Sequence, residues 1–265
     1  MDAGGIVWNI AASRNGKWII SWTESGQVTV WNAESHEKVT DFKAHSNCIR
    51  AVDVSPDGTR IATGSDDKTV CVWSLSTGQR LHGPWQHNSF VAAVKFSPNG
   101  NLLATATWFR NSIRIYHSKN DHLYFDVPIR VTLSGNQSLA WANDSAQLFA
   151  LSYDGNIHCI SSFNGTTLSQ WPIQYSSNPM CIALASNDTF IAVSADSSVL
   201  FWDTTSHKQI GSAIKHTAFV WSIAISANYD LVVGGGKSIT FRSLCDILPS
   251  PYFDYVSVTV STEFV

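Results

Sequence analysis

Charge is what this sequence has least of. Asp, Glu, Lys and Arg make up 14% of its 265 residues, against about 25% in an ordinary soluble domain. The solvated faces of long amphipathic helices are hard to build from such a chain, and no stretch keeps a 3.6-residue apolar period. With 17 basic and 20 acidic residues the formal charge is −3, so a phosphate backbone meets no net attraction and nucleic acid is not expected as a partner. No apolar run approaches the ~20 residues of a membrane helix. The start, Met1-Asp-Ala-Gly-Gly5, lacks the basic and apolar regions of a secretion signal. The expectation is a cytoplasmic protein without membrane contact.

Metal and disulfide chemistry are equally thin. Cys48, Cys71, Cys159, Cys181 and Cys245 are odd in number and show no C-x-x-C spacing, which suggests buried reduced thiols instead of a disulfide framework or a zinc site. Sequons begin at Asn136, Asn143, Asn164 and Asn187, but Asn followed by Ser or Thr also builds turns. There is no G-x-S-x-G, H-E-x-x-H, G-x-x-x-x-G-K-[S/T] or EF-hand pattern. Gly234-Gly-Gly236 ends a strand without the following helix that phosphate binding uses. The chain is expected to be no enzyme, with no cofactor and no metal.

What the sequence has is a repeat. Strand ends recur at Val28-Thr-Val-Trp31, Val70-Cys-Val-Trp73, Ile113-Arg-Ile-Tyr116, Ile157-His-Cys-Ile160, Val199-Leu-Phe-Trp202 and Ile239-Thr-Phe241, spaced by 42, 43, 44, 42 and 39 residues. About 18 residues before each lies a turn: Ser13-Arg-Asn-Gly16, Ser55-Pro-Asp-Gly58, Ser97-Pro-Asn-Gly100, then weaker copies at Ala142, Ala185 and Ser226. In these turns Pro fixes φ, and Gly or Asn accepts φ > 0. Two markers keeping one step define units at approximately 5–44, 45–86, 87–134, 135–177, 178–215 and 216–262. Each reads as short strands between turns, and a four-stranded unit of about 40–45 residues cannot bury both faces alone. Stacked units closing on themselves give an all-β, six-bladed β-propeller.

The unit running from His45 through Ser55-Pro-Asp-Gly58 and Ile61-Ala-Thr-Gly-Ser-Asp-Asp67 to Val72-Trp73-Ser74, and the Trp202-Asp203 pair, resemble WD40 repeats over roughly residues 5–244. The resemblance implies that His45, Thr63, Asp67 and Trp73 form one hydrogen-bonded, structural chain. Other units depart from it. His87 and His216 keep the His, but Tyr116 and Phe241 replace the Trp; Asp154 and Asp196 are kept without a matching His. The details of 216–226 and 239–249 resemble repeat arrays of filamentous fungi that often follow NACHT-type nucleotide-binding modules. The alternating strand Val256-Ser-Val-Thr-Val260 is expected to be the outer strand of blade six. A fragment of a seven-bladed array is the alternative.

The resemblance also places six residues around one mouth of the central channel: Trp8, Arg50, Ala92, Gln137, Met180 and Trp221. None is His, Asp or Glu, so the ring offers neither metal ligands nor a carboxylate dyad. The loops on the same side carry Trp85, Phe90, Trp108, Phe109, Arg110 and Phe219. Eleven tryptophans exceed what the strand ends absorb, since only Trp31, Trp73 and Trp202 stand there. Trp and Arg are enriched at binding hot spots. The expected function is a non-catalytic scaffold that binds a protein or peptide at this aromatic mouth, with Arg50 or Arg110 pairing to a carboxylate or carbonyl. A glycan-binding propeller is the alternative, and a propeller hydrolase a more distant one.

Overall fold

Turn chemistry sets the register of each blade. Ser55 accepts the Arg60 N–H at 2.9 Å on its hydroxyl and donates to Asp57 at 2.5 Å, while the Gly58 N–H reaches the Ser55 carbonyl at 2.8 Å. Gly58 sits at φ +69°, a conformation that costs a residue with a Cβ. Asn15 and Asn99 take the place of Asp57 in the equivalent turns, accepting from Ser13 and Ser97 at 2.7 Å. The β-branched and aromatic residues on either side of each turn are thereby zipped into antiparallel pairs.

The molecule is a computed structural model that describes residues 7–108, 112–132, 135–173 and 179–253. Blade one comprises β1 (Val7–Ala12), β2 (Trp18–Thr23), β3 (Gln27–Asn32) and β4 (Lys38–Lys43). Blade two is β5 (Ile49–Val54), β6 (Arg60–Ser65), β7 (Thr69–Ser74) and β8 (Arg80–Gln86); blade three is β9 (Val91–Phe96), β10 (Leu102–Thr107), β11 (Ile113–His117) and β12 (Leu123–Val127). Blade four is β13 (Leu139–Trp141), β14 (Gln147–Leu151), β15 (Asn156–Ser161) and β16 (Thr167–Pro172). Blade five is β17 (Pro179–Leu184), β18 (Phe190–Ala195), β19 (Ser198–Asp203) and β20 (Gln209–Lys215), and blade six is β21 (Val220–Ile225), β22 (Asp230–Gly235) and β23 (Ser238–Ser243). Each sheet keeps sequence order, and the first strands of successive blades pack on one another around the axis. The protein is a six-bladed β-propeller. Helix is confined, among the described residues, to three short 3-10 turns. The expected outer strand Val256–Val260 lies outside the described residues.

Five hydrophobic clusters fill the five junctions between consecutive blades. Ile20, Val28 and Val30 meet Ile49, Val52 and Ile61; Val70 and Val72 meet Val91, Val94 and Phe96; and the series continues to Phe190 and Phe201 against Val220, Ile223 and Leu231. Buried aromatic and branched side chains of this kind each contribute about 1.5–3 kcal/mol by leaving water. A polar clamp supplements one junction: the buried Arg60 donates to the Ser118 carbonyl at 2.8 Å and the Gly100 carbonyl at 3.0 Å, fastening blade two to blade three.

Candidate recognition surface

The inner strands place side chains at the mouth by a recurring distortion. Ile49 pairs with Ser65 and Ala51 with Gly64, leaving Arg50 as an extra residue; Trp8, Ala92 and Trp221 occupy the same bulge in β1, β9 and β21. A bulge re-aims one side chain and strengthens the local twist. In β17 the same irregularity takes in Met180, and the side chains of Trp8 and Met180 lie outside the description.

Blade four breaks the pattern, and Gln137 is a correction to the expected ring. Val131 bridges to Ser152 and Leu139 pairs with Ala150, so seven positions of sequence separate two residues whose partners are separated by Leu151 alone. The inserted chain makes the 3-10 turn Gly135–Ser138, which packs on β5, β9 and β17. Gln137 then reaches across the axis, donating to Ser222 Oγ at 2.7 Å and accepting the Ile223 N–H at 3.4 Å. It is a strut between blades four and six.

Besides Trp8 and Trp85, the expected binding residues divide into four groups. Phe219 and Trp221 are 36% and 58% exposed, with ring centroids 4.7 Å apart and planes inclined by 47°. Phe90 and Trp108 are half-buried and joined through the backbone, the Trp108 N–H donating to the Phe90 carbonyl at 3.1 Å. Arg50 is half-exposed but already engaged: its Nε and Nη2 hold Asp66 at 2.9 and 2.6 Å. That hydrogen bond raises the guanidinium pKa further, so the cation arrives at the mouth with its carboxylate attached. Phe109 and Arg110 lie outside the described residues.

Trp85 is a correction. It is 8% exposed, stacked at 4.2 Å on Tyr116 of blade three, and its Nε1 donates to Asp121 at 2.8 Å. The same Asp121 oxygen takes the Gly83 N–H at 3.1 Å, and the two bonds hold its carboxyl below the usual range. The tryptophan is consumed in packing between blades two and three, because on β8 it falls on the face that meets β11.

His45, Thr63, Asp67 and Trp73 form a continuous chain. His45 Nε2 lies 2.7 Å from Thr63 Oγ1, which accepts from Trp73 Nε1 at 2.8 Å, and His45 Nδ1 lies 3.0 Å from Asp67. Asp67 also accepts from Thr69 Oγ1 at 2.6 Å and from the Ser46 N–H at 3.1 Å. Burial pushes its pKa upward, but the bonds from His45 and Thr69 outweigh this and hold it well below the carboxylate range. Gly26 carries the chain into this lock: its carbonyl takes the His45 N–H at 3.3 Å, and a Cβ there would sit 2.4 Å from the His45 carbonyl.

The other blades show what is lost when the lock is incomplete. In blade three His87 is 3.4 Å from Thr105 and 3.5 Å from the Tyr116 hydroxyl, its Nδ1 has no partner, and burial lowers its pKa to about 4. In blade four Ala150 and Ile160 stand where Thr63 and Trp73 do in blade two. A cavity of about 330 Å³ opens there, lined by Pro128, Ile129, Arg130, Ser152, Tyr153, Asp154 and His158. Arg130 lies 4.1 Å over the Tyr153 ring, and His158 is buried with Nε2 3.0 Å from Ser152 Oγ. Sequence reasoning missed this feature; its signal was the paired loss of His and Trp from the fourth unit.

Among the described residues no group of three or more His, Cys, Asp or Glu side chains could hold a metal ion, and no helix is long and apolar enough to cross a membrane. Residues 36–74, 78–117 and 165–203 match the family model described as WD40: WD domain, G-beta repeat. The chain carries WD40 repeats. Each match begins near the outer strand of one blade or the turn before it and ends on the third strand of the next, so a WD40 repeat in this propeller spans a blade junction. No curated protein matches the chain.

Proposed function

We propose that this WD40-repeat propeller is a non-catalytic recognition module that captures a protein through an extended peptide segment laid across the mouth. The observation that carries the reading is the Phe219–Trp221 pair, solvent-facing on a strand whose bulge fixes Trp221. Rigid aromatic rings bury area with few rotatable bonds to freeze, which is why they dominate hot spots. Phe90 and Trp108 extend the apolar lining, and the Arg50–Asp66 pair supplies a donor and an acceptor to peptide backbone at the rim. The bulge positions of blades two, three and six differ, Arg50, Ala92 and Trp221. This asymmetry suits one asymmetric ligand better than a site repeated around the ring. A WD40 propeller fold is consistent with such a scaffold, although a fold alone does not dictate function. Five reduced thiols, four of them buried, suit the reducing cytoplasm.

The test is panning of a displayed random-peptide library against the full chain and against the Phe219→Ala/Trp221→Ala double variant. Enriched peptides should carry apolar anchors and lose at least tenfold in affinity on the double variant, as loss of a hot spot of about 2 kcal/mol or more requires, with the melting temperature within a few degrees of wild type. Undiminished binding by a folded double variant would move the recognition face elsewhere.

A further inference from the structure

Blade four carries a cation that its own chain leaves uncompensated. The turn between β14 and β15 is built as in blade two: the Tyr153 N–H donates to the Arg130 carbonyl at 2.9 Å, as the Asp66 N–H donates to the Cys48 carbonyl at 2.9 Å. Asp66 is the carboxylate that holds Arg50 at the mouth. Tyr153 therefore stands on the mouth side of blade four, with a ring in place of that carboxylate. Arg130 lies 4.1 Å over the ring, and its Nε is buried without a partner. Other partly buried arginines of this chain are treated differently. Arg50 and Arg114 have carboxylates at 2.6 and 2.7 Å, and Arg60 ends on the carbonyls of Ser118 and Gly100. A guanidinium presents its N–H donors in a fixed fork that matches a carboxylate, and at Arg130 the chain supplies no acceptor to that fork.

The acid in the same turn does not neutralise it. Asp154 occupies the place of Asp67, but Val127 stands where His45 does, four residues before the bridge that opens the blade. With no imidazole to hold, the Asp154 carboxylate takes the Ser152 hydroxyl instead. Burial pushes its pKa upward, but the bonds from Ser152 and Asn156 outweigh this and hold it below the usual value, so it is ionised at neutral pH. Arg130 and Asp154 both line the cavity of about 330 Å³, and among the described residues no ion pair joins them. His158 lines it too, but burial lowers its pKa and leaves the imidazole neutral. A dianion such as phosphate would be repelled by Asp154. A monoanion on a short apolar stem suits both the fork and the walls made by Ile129 and Tyr153. We propose that this cavity binds the carboxylate of a peptide, from an Asp or Glu side chain or from the chain terminus, through the Arg130 guanidinium. Within the peptide reading above it names the chemistry of one residue of the captured segment, and it does not rest on Phe219 and Trp221.

The test follows the arginine Nε–H resonances of the isotope-labelled full chain by NMR, where the burial of the Arg130 Nε protects its proton from exchange. The Arg130 signal is the one missing from the Arg130→Gln spectrum, and Arg130→Lys removes it as well should the first variant fail to fold. The probes are N-acetyl-glutamic acid α-amide, N-acetyl-alanine, N-acetyl-glutamine α-amide and inorganic phosphate. The Arg130 signal should shift saturably with one or both of the carboxylates, and the glutamine probe should bind at least about tenfold more weakly, since hydrogen bonds to an ionised acceptor are the stronger ones. The tighter carboxylate identifies the side chain or the terminus as its source. Asp154→Asn should tighten carboxylate binding, a response that a merely structural Arg130 would not give. Three results overturn the proposal: no saturable shift with either carboxylate, equal binding of the glutamine probe, or phosphate bound more tightly than both carboxylates by the wild type. The probes need nothing from Phe219 or Trp221, so this proposal and the reading of the mouth fail separately.

Discussion

Blades two and six are built from the same strand order and the same register, yet one is locked and the other open. Blade two has four strands, a polar chain in which both His45 ring nitrogens have partners, and both faces buried against neighbours. Blade six shows three described strands, a His216 whose Nε2 has no partner, and a β23 that faces solvent with Ile239 and Phe241. Local sequence does not separate them, since Val-Cys-Val-Trp and Ile-Thr-Phe are equally good strands. What separates them, among the described residues, is whether another sheet stands alongside. In a propeller each blade's stability is borrowed from its neighbours, so the end of the series shows what a blade is worth without one.

The largest expected effect comes from one substitution made at the same register position in both blades. Val72→Asp places a carboxylate at a fully buried position among apolar side chains, at a cost of about 3–5 kcal/mol, a large part of the total stability of a domain. Phe241→Asp places the same charge on an exposed strand and should stay within about 0.5 kcal/mol of wild type. Urea denaturation of the two variants makes the comparison. Equal destabilisation would mean that β23 is covered in solution.

The polar lock gives the next effect. Asp67→Asn should cost about 1–3 kcal/mol, because it removes an ionised acceptor from His45, Thr69 and Ser46. The cost should depend on pH in a definite sense. Asp67 is held below the carboxylate range when folded and returns to about 3.9 when unfolded, so its contribution is complete above that value and fades as the pH falls toward the folded pKa. Asp53, whose pKa burial raises, acts in the opposite sense but is common to both proteins. The difference in melting temperature between wild type and Asp67→Asn should therefore be constant from pH 7 to about 5 and shrink below about 4.

The fold was legible in the sequence because turn and strand-end markers keep step at the backbone level, where Ser-Pro-Asp-Gly and its copies leave little conformational choice. The lock of blade two was legible because its four residues appear together in one unit. Gln137 was misread because the insertion before β13 is hidden: the interval from Ser97 to Ala142 lengthens only to 45 residues, and nothing local tells a bulge from a turn across the axis. Trp85 was misread because composition marks a tryptophan as a hot-spot type without saying which face of its strand meets the next blade. The exposure of Ile239 and Phe241 among the described residues left no trace at all, since an apolar strand looks the same whether or not a sheet covers it.

The smallest expected effect tests whether blade six has a lock of its own. His216 occupies the His position, but only its Nδ1 is engaged, 3.2 Å from the Ala218 N–H and 3.1 Å from the Ala218 carbonyl, while Nε2 is buried without a partner. A buried polar atom left unmade costs free energy, and removing it recovers part of that cost. His216 is also half-buried, so little cavity is left behind when it is shortened. His216→Ala should therefore change stability by no more than about 0.5 kcal/mol, whereas His45→Ala strands Thr63 and Asp67 and should cost about 1–3 kcal/mol. Paired thermal melts measure the contrast. If His216→Ala is as damaging as His45→Ala, blade six holds a polar chain equivalent to that of blade two, and its exposed β23 would have to be explained by something other than a weaker blade.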